Sequence, residues 1–88
     1  IMEVAEGGTS NVSIAPKDIL AEAIKLGAPK IVIVHNHPSG NPQPSTEDIE
    51  FTKTLDEASK ILGIELLDHV IVAGHSFFSI MTLVKKER

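Results

Sequence analysis

The sequence contains no cysteine, no tryptophan and no tyrosine. Without cysteine there can be no disulfide framework and no thiolate metal site, so any metal must be held by nitrogen and oxygen. The aromatic side chains are three phenylalanines, too few to supply the stacking platforms of a single-strand nucleic-acid binder. Positive charge is scarce as well. Eight Lys and Arg stand against twelve Asp and Glu, giving a formal net charge of −4 and a pI near 5.4. That balance argues against a broad phosphate-binding surface. The one basic cluster, Lys85 to Arg88, reads as a solvated tail, so strong nucleic-acid binding is not expected. The apolar run Ile31–Val34 is far too short to span a bilayer, and no membrane partner is expected. What remains is one small domain: 88 residues, 42% hydrophobic and 23% charged, enough for one core and not for two. The chain opens on Ile1 rather than Met and is read as a fragment truncated at its N-terminus, so targeting signals upstream are not visible. The expected compartment is the cytoplasm, although the lack of cysteine does not itself fix it.

The hydrophobic pattern gives an alternation of elements. Ile1 to Glu6 reads as the end of a strand leading to a turn at Gly7-Gly8, and Ser10 to Pro16 as loop with a brief strand. Asp18 to Leu26 reads as a helix: Pro16 suits its first position, Ile19, Leu20, Ala23 and Ile24 recur at helical spacing, and Gly27 is a stop signal. Lys30 to Val34 is a continuous β-branched run, typical of a central strand. Ser45 to Leu62 reads as the long helix, with Ile49, Thr52, Leu55, Ala58 and Leu62 as its apolar stripe and Gly63 ending it. Leu66 to Val72 and Phe77 to Val84 read as two strands joined by a turn at Gly74, a C-terminal β-hairpin. The expected fold class is α/β, a layered domain with a mixed β-sheet flanked by helices.

Chemistry concentrates in "VHNHPSGNPQPSTED", Val34 to Asp48. His35 and His37 follow directly from the central strand. Alternate residues of an extended chain point the same way, so both imidazoles can face one point. Ligand sites of α/β sheets favour the carboxyl ends of strands. Two neutral imidazoles converging there satisfy each other poorly, and a divalent metal would satisfy both. Catalytic zinc takes three protein ligands and keeps the fourth position for water. Asp48 is the best third ligand, because the first turn of a helix favours an ionised carboxylate. Pro38, Pro42 and Pro44 stiffen the loop between, which holds the helix start at a fixed distance from the strand end. Zinc suits this nitrogen and oxygen set, which also admits cobalt, nickel or manganese. The bland reading stands beside it. A histidine pair beside a strand is more often hydrogen-bonded structure, and Ser45 with Asp48 fits an S-x-x-[DE] capping box. The two readings are compatible. The contiguous letters His35-Asn36-His37 are no evidence for the nuclease motif written HNH, whose residues are widely spaced.

The spacing His35-x-His37, seven residues, Ser45, two residues, Asp48 resembles the JAMM motif, H-x-H-x7-S-x-x-D, of the JAB/MPN metalloprotease superfamily. Asn36 and "PSG" after His37, "GTSN" at Gly8–Asn11, "LGIELLDHVIV" at Leu62–Val72 and the closing "FFSI" look like its bacterial RadC branch. The eukaryotic deubiquitinase branch usually has Ser or Thr between the histidines. The resemblance runs from about Gly8 to Leu83. It implies a JAB/MPN-like, cytidine-deaminase-like layered fold with zinc as cofactor. His35, His37 and Asp48 would be the zinc ligands, and Ser45 the group that positions water or stabilises the oxyanion. The reaction implied is hydrolysis of an amide or isopeptide bond in a peptide or protein substrate. The family also uses a glutamate as general acid/base, on a strand well before the H-x-H and upstream of Ile1. Glu3 and Glu6, the early candidates here, align with the strand before the glycine-threonine turn and read as solvent-facing carboxylates, so the acid/base is expected to be absent.

Other polar residues are weighed more briefly. Asp68 and His69 begin the late strand and read as structural, or as a pair orienting a zinc ligand from behind. His75 lies in the hairpin turn, Ser39 with Gly40 reads as a turn lacking the G-x-S-x-G context of a nucleophile, and Lys53 and Lys60 read as the solvated face of the long helix. Rival functions are a non-catalytic JAB/MPN binding module and the DNA-repair accessory role that the RadC family traditionally carries. The intact ligand set favours metal over the first, and the acidic charge speaks against direct DNA readout. The residues name neither a particular substrate nor an oligomeric state.

Overall fold

The computed structural model describes residues 2–5 and 15–86. The elements are β1 (Met2–Ala5), α1 (Pro16–Leu26), β2 (Lys30–Asn36), α2 (Thr46–Ile61), β3 (Glu65–Ala73), β4 (Ser76–Ser79) and α3 (Ile80–Lys86). The strands form one sheet in the order β1-β2-β3-β4. β1, β2 and β3 are parallel and β4 is antiparallel to β3, so the sheet is mixed, as expected. The expected brief strand near Ser10 and the Gly7-Gly8 turn lie outside the described residues.

Helices start and stop where local chemistry dictates. Pro16 opens α1, and the Ala15 N–H donates to the Asp18 carboxylate at 3.1 Å. Gly27 closes it in the left-handed region, φ 63°, where a side chain would be strained. α1 and α2 pack against each other and share one core on the same face of the sheet, the arrangement that right-handed parallel crossovers favour. α3 packs against α2 and β3. One core results, in which Ile19, Leu20 and Ala23 of α1, Leu55 of α2 and Ile80, Met81 and Val84 of α3 meet Ile31, Ile33, Leu66 and Ile71 of the sheet. On β2 the alternation is strict: Ile31, Ile33 and His35 face this core, while Val32 and Val34 lie half-buried on the other side.

β3 breaks the alternation. Ile31 pairs with Leu66 but Val32 with Asp68, so Leu67 is an extra residue, a bulge. Buried positions run Leu66, then His69, Ile71 and Ala73. The bulge therefore lets both Leu66 and His69 point into the core.

The last segment corrects an expectation. β3 and β4 do form the expected hairpin, but it is not C-terminal: β4 ends at Ser79 and the chain continues as α3. The Ser79 hydroxyl donates to both Asp68 carboxylate oxygens at 2.8 Å, and the Met81 N–H reaches Asp68 Oδ1 at 3.4 Å. These bonds turn the backbone out of the ladder and satisfy a helix-start donor. Ile80, Met81 and Val84 are then buried at helical spacing.

The sheet has two unlike ends. His35 and His37 lie at the carboxyl end of β2, beside the start of α2. At the opposite pole, where α1 and α2 end, Ile24, Leu26, Ile61 and Leu62 are 50–85% exposed. Leu62 thus leaves the expected stripe of α2. No helix of the described residues is long and apolar enough to cross a membrane.

Candidate metal centre

Two segments deliver three side chains to one point. β2 brings His35, buried on the core face. The His37 N–H donates to the Val72 carbonyl at 2.9 Å, which carries the β2–β3 ladder one residue past Asn36 and fixes the backbone under the second imidazole. α2 brings Asp48 in its first turn.

The connecting loop is held by its own polar groups. The Gly40 N–H donates to the His37 carbonyl at 3.2 Å, with Gly40 at φ 83°. Ser39 Oγ accepts from the Asn41 N–H at 3.3 Å and Asn41 Oδ1 from the Gln43 N–H at 3.1 Å. Ser45 is the N-cap of α2. Its Oγ accepts from the Asp48 N–H at 3.0 Å, and its own N–H donates to Asp48 Oδ2 at 2.9 Å. The capping box read from the sequence is present, and it aims the carboxylate.

Asp48 Oδ1 lies 3.6 Å from His35 Nδ1 and Oδ2 lies 3.3 Å from His37 Nε2. One nitrogen or oxygen from each of the three residues lies within 4.8 Å of the others. Ligands bound at about 2.0–2.1 Å around a tetrahedral zinc stand roughly 3.3 Å apart, so the three side chains converge but would draw closer around an ion. His37 Nδ1 is 3.0 Å from the Asn41 carbonyl. A carbonyl can only accept, so Nδ1 carries the hydrogen and the Nε2 lone pair is left for Asp48's side of the site. Burial pushes the Asp48 carboxyl up, but the Ser45 hydrogen bonds and the His35 and His37 imidazoles outweigh it and hold the group below its ordinary range. It is a carboxylate near neutral pH, as a ligand must be.

The family model for the RadC-like JAB domain matches residues 1–86. The chain belongs to that family. UPF0758 proteins are similar to it: that of Carboxydothermus hydrogenoformans is 51% identical over 76 residues, 86% of this chain and 34% of the relative. That of Aquifex aeolicus is also 51% identical over 76 residues, 86% of this chain and 33% of the relative. One from Geobacillus sp. (strain WCH70) is 53% identical over 74 residues, 83% and 33% of the two chains. The chain thus spans about a third of the length of the curated relatives it matches.

In this RadC-like JAB domain the remaining sequence candidates fall in different places. Asp68 serves the bulge and the β4–α3 junction: beyond Ser79 and Met81, its Oδ1 accepts from the His69 N–H at 2.7 Å. His69 faces the core and lies near the triad. Its ring is 5.5 Å from that of His35 and inclined by 28°, and its Nδ1 is 2.6 Å from Thr52 Oγ1. Burial, reinforced by the His35 imidazole, pushes its pKa down from 6.5 to about 4, against the opposing pull of Asp48 and Asp68. His75 is exposed in the turn, and Lys60 reaches back to the buried Asp56 at 3.4 Å. Glu3 stands in register with Val34, and Val4 with His35; Glu6 lies outside the described residues. Among the described side chains, no further carboxylate joins His35, His37 and Asp48. Sequence reasoning counted Thr52 only as part of an apolar stripe and passed over Asn41. The signal for Thr52 was its position four residues after Asp48, on the same helix face.

Proposed function

We propose that the domain binds one zinc ion through His35, His37 and Asp48 and belongs to a metal-dependent hydrolase acting on amide or isopeptide bonds of peptide or protein substrates. The observation that supports this most is the convergence of three ligand atoms within 4.8 Å, two from the hydrogen-bonded end of β2 and one from the capped start of α2. A zinc ion held there would supply a Lewis acid able to acidify water and polarise a carbonyl. The protein's own part is orientation. The loop carbonyl of Asn41 sets the His37 tautomer, and the Ser45 backbone fixes the Asp48 carboxylate. Ser45 Oγ accepts from the Asp48 N–H, which leaves its hydroxyl hydrogen for a substrate oxygen that gains negative charge.

A second reading has an observation of its own. With no further carboxylate beside the three ligands among the described side chains, a proton shuttle must come from elsewhere, and the chain alone would serve as a metal-stabilised binding module. Nothing in the acidic composition supports direct nucleic-acid readout as the basis of a DNA-repair role. The test is zinc stoichiometry and affinity of the purified chain, with and without His37→Ala and Asp48→Ala. One zinc per chain, lost in both variants, is the expected result; equal affinity in all three proteins refutes the site.

A further inference from the structure

Thr52 and His69 are among the most buried polar residues described, 0% and 2% exposed, and both border the triad without belonging to it. We propose that His69 and Thr52 form a clamp that sets the position of Asp48 relative to His35, making His69 a positioning residue of the metal centre. The inference rests on the metal reading above and deepens it.

The clamp is built from bonds at both ends. The Thr52 hydroxyl lies 2.7 Å from the Asp48 carbonyl and 2.6 Å from His69 Nδ1. It has one hydrogen to give. The Asp48 carbonyl can only accept, so when the hydroxyl donates to it, the Nδ1–H of His69 donates to Oγ1. The reverse assignment would put a hydrogen on His69 Nε2. That atom is buried with no hydrogen-bond partner among the described residues, and an orphaned buried N–H is rarer than an orphaned acceptor. The chain of donors therefore runs His69 to Thr52 to the Asp48 carbonyl. From β3 it grips the first turn of α2, which carries the carboxylate.

The other side of the same ring meets the imidazole of His35 at 5.5 Å, so one side chain spans the helix ligand and the strand ligand. His69 stands in register with Ile33 and points inward because the bulge at Leu67 precedes it. Asp68 holds that bulge through Ser79, Met81 and the His69 N–H. The loop from Pro38 to Pro44 ties the two ligand segments along the chain. The clamp ties them across the core.

The test uses cobalt(II), whose visible spectrum reports ligand geometry without any need for turnover. Asparagine places its amide nitrogen where Nδ1 stands, and glutamine places its own where Nε2 stands. Thr52→Ser keeps the clamp; His69→Asn keeps the hydrogen bond to Thr52 and gives up the ring beside His35; His69→Gln and Thr52→Val break it. The breaking variants are expected to bind cobalt about 10–100-fold more weakly with a shifted spectrum, and Thr52→Val with His69→Gln together no worse than either alone. Thr52→Ser should match the unaltered chain, and His69→Asn should bind cobalt more tightly than His69→Gln. Wild-type affinity and spectrum in the breaking variants, even with a lower melting temperature, would reduce the pair to packing and overturn the proposal, as would losses that simply add. Should Thr52→Val fail to fold by circular dichroism, the contrast between His69→Asn and His69→Gln decides alone. Failure of the unaltered chain to take up cobalt or zinc is a different result, and it overturns the metal reading itself.

Discussion

Asp48 must be ionised, aimed and only partly solvated. Ser45 accomplishes the aiming through two reciprocal bonds, so cap and ligand are one device. Asp48→Ala should abolish tight zinc binding, since two imidazoles make a poor zinc site; a calorimetric titration checks it. Ser45→Ala should leave most of the metal affinity and cost about 1 kcal/mol of stability through the lost cap, read by urea unfolding. Loss of metal binding in that variant would make Ser45 a ligand. His69 gives a pH dependence. Its folded pKa lies near 4 against 6.5 for the free side chain, so between these values the unfolded chain binds the extra proton and the folded chain does not. Stability of the metal-free chain should therefore be full above about pH 6.5 and fall, by roughly 3 kcal/mol at most, as pH drops toward 4. Unfolding midpoints across that range, with His69→Asn removing the slope, test it. Much of the site was legible at this scale, because His35, His37, Ser45 and Asp48 carry fixed spacing. The clamp was not, since Thr52 and His69 are 17 positions apart and only the folded sheet makes them neighbours.

At the scale of elements, both long helices and the central strands were readable because each carries its own period and its own stop. The end of the chain was not read correctly, and the reason is instructive. Ile80, Thr82 and Val84 suit a strand by propensity, but the Asp68 carboxylate, eleven residues before Ser79, ends β4 and starts α3. A long-range bond overrode a local preference. The bulge was equally invisible, because Leu67 differs in no local respect from its neighbours. Asp68→Ala should release Ser79 and the α3 start together, costing about 1–3 kcal/mol. Hydrogen exchange should show faster exchange at Met81 and through α3, while α1 stays protected. Unchanged exchange at Met81 would show that packing of Ile80 and Val84 suffices to hold α3.

At the scale of the whole molecule, the proposed hydrolase would need more than the three residues proposed to hold zinc. A general acid/base is worth about 10²–10⁴-fold in rate, and among the described side chains no further carboxylate joins His35, His37 and Asp48. The zinc-loaded 88-residue chain should hydrolyse peptide and isopeptide substrates slowly or not at all, and a protein of the relatives' full length should do so faster. Comparable turnover by this chain, lost in Glu3→Gln or Glu6→Gln, would place the acid/base at one of those two glutamates. The acidic surface likewise predicts weak, salt-sensitive binding to nucleic acid, checked by titration at physiological ionic strength. The distribution of apolar surface has a practical consequence. Ile61 is 85% exposed and, by the rise of α2, lies about 20 Å from Asp48, at the far end of the molecule. Phe77, 73% exposed on β4 and level with Val72 and Asn36, gives the histidine end an apolar contact as well, so an apolar chromatography matrix or sensor coating would take hold of the chain at either end. Only the molecules held by the α2 end would turn their histidines toward the liquid, open to metal delivered from solution.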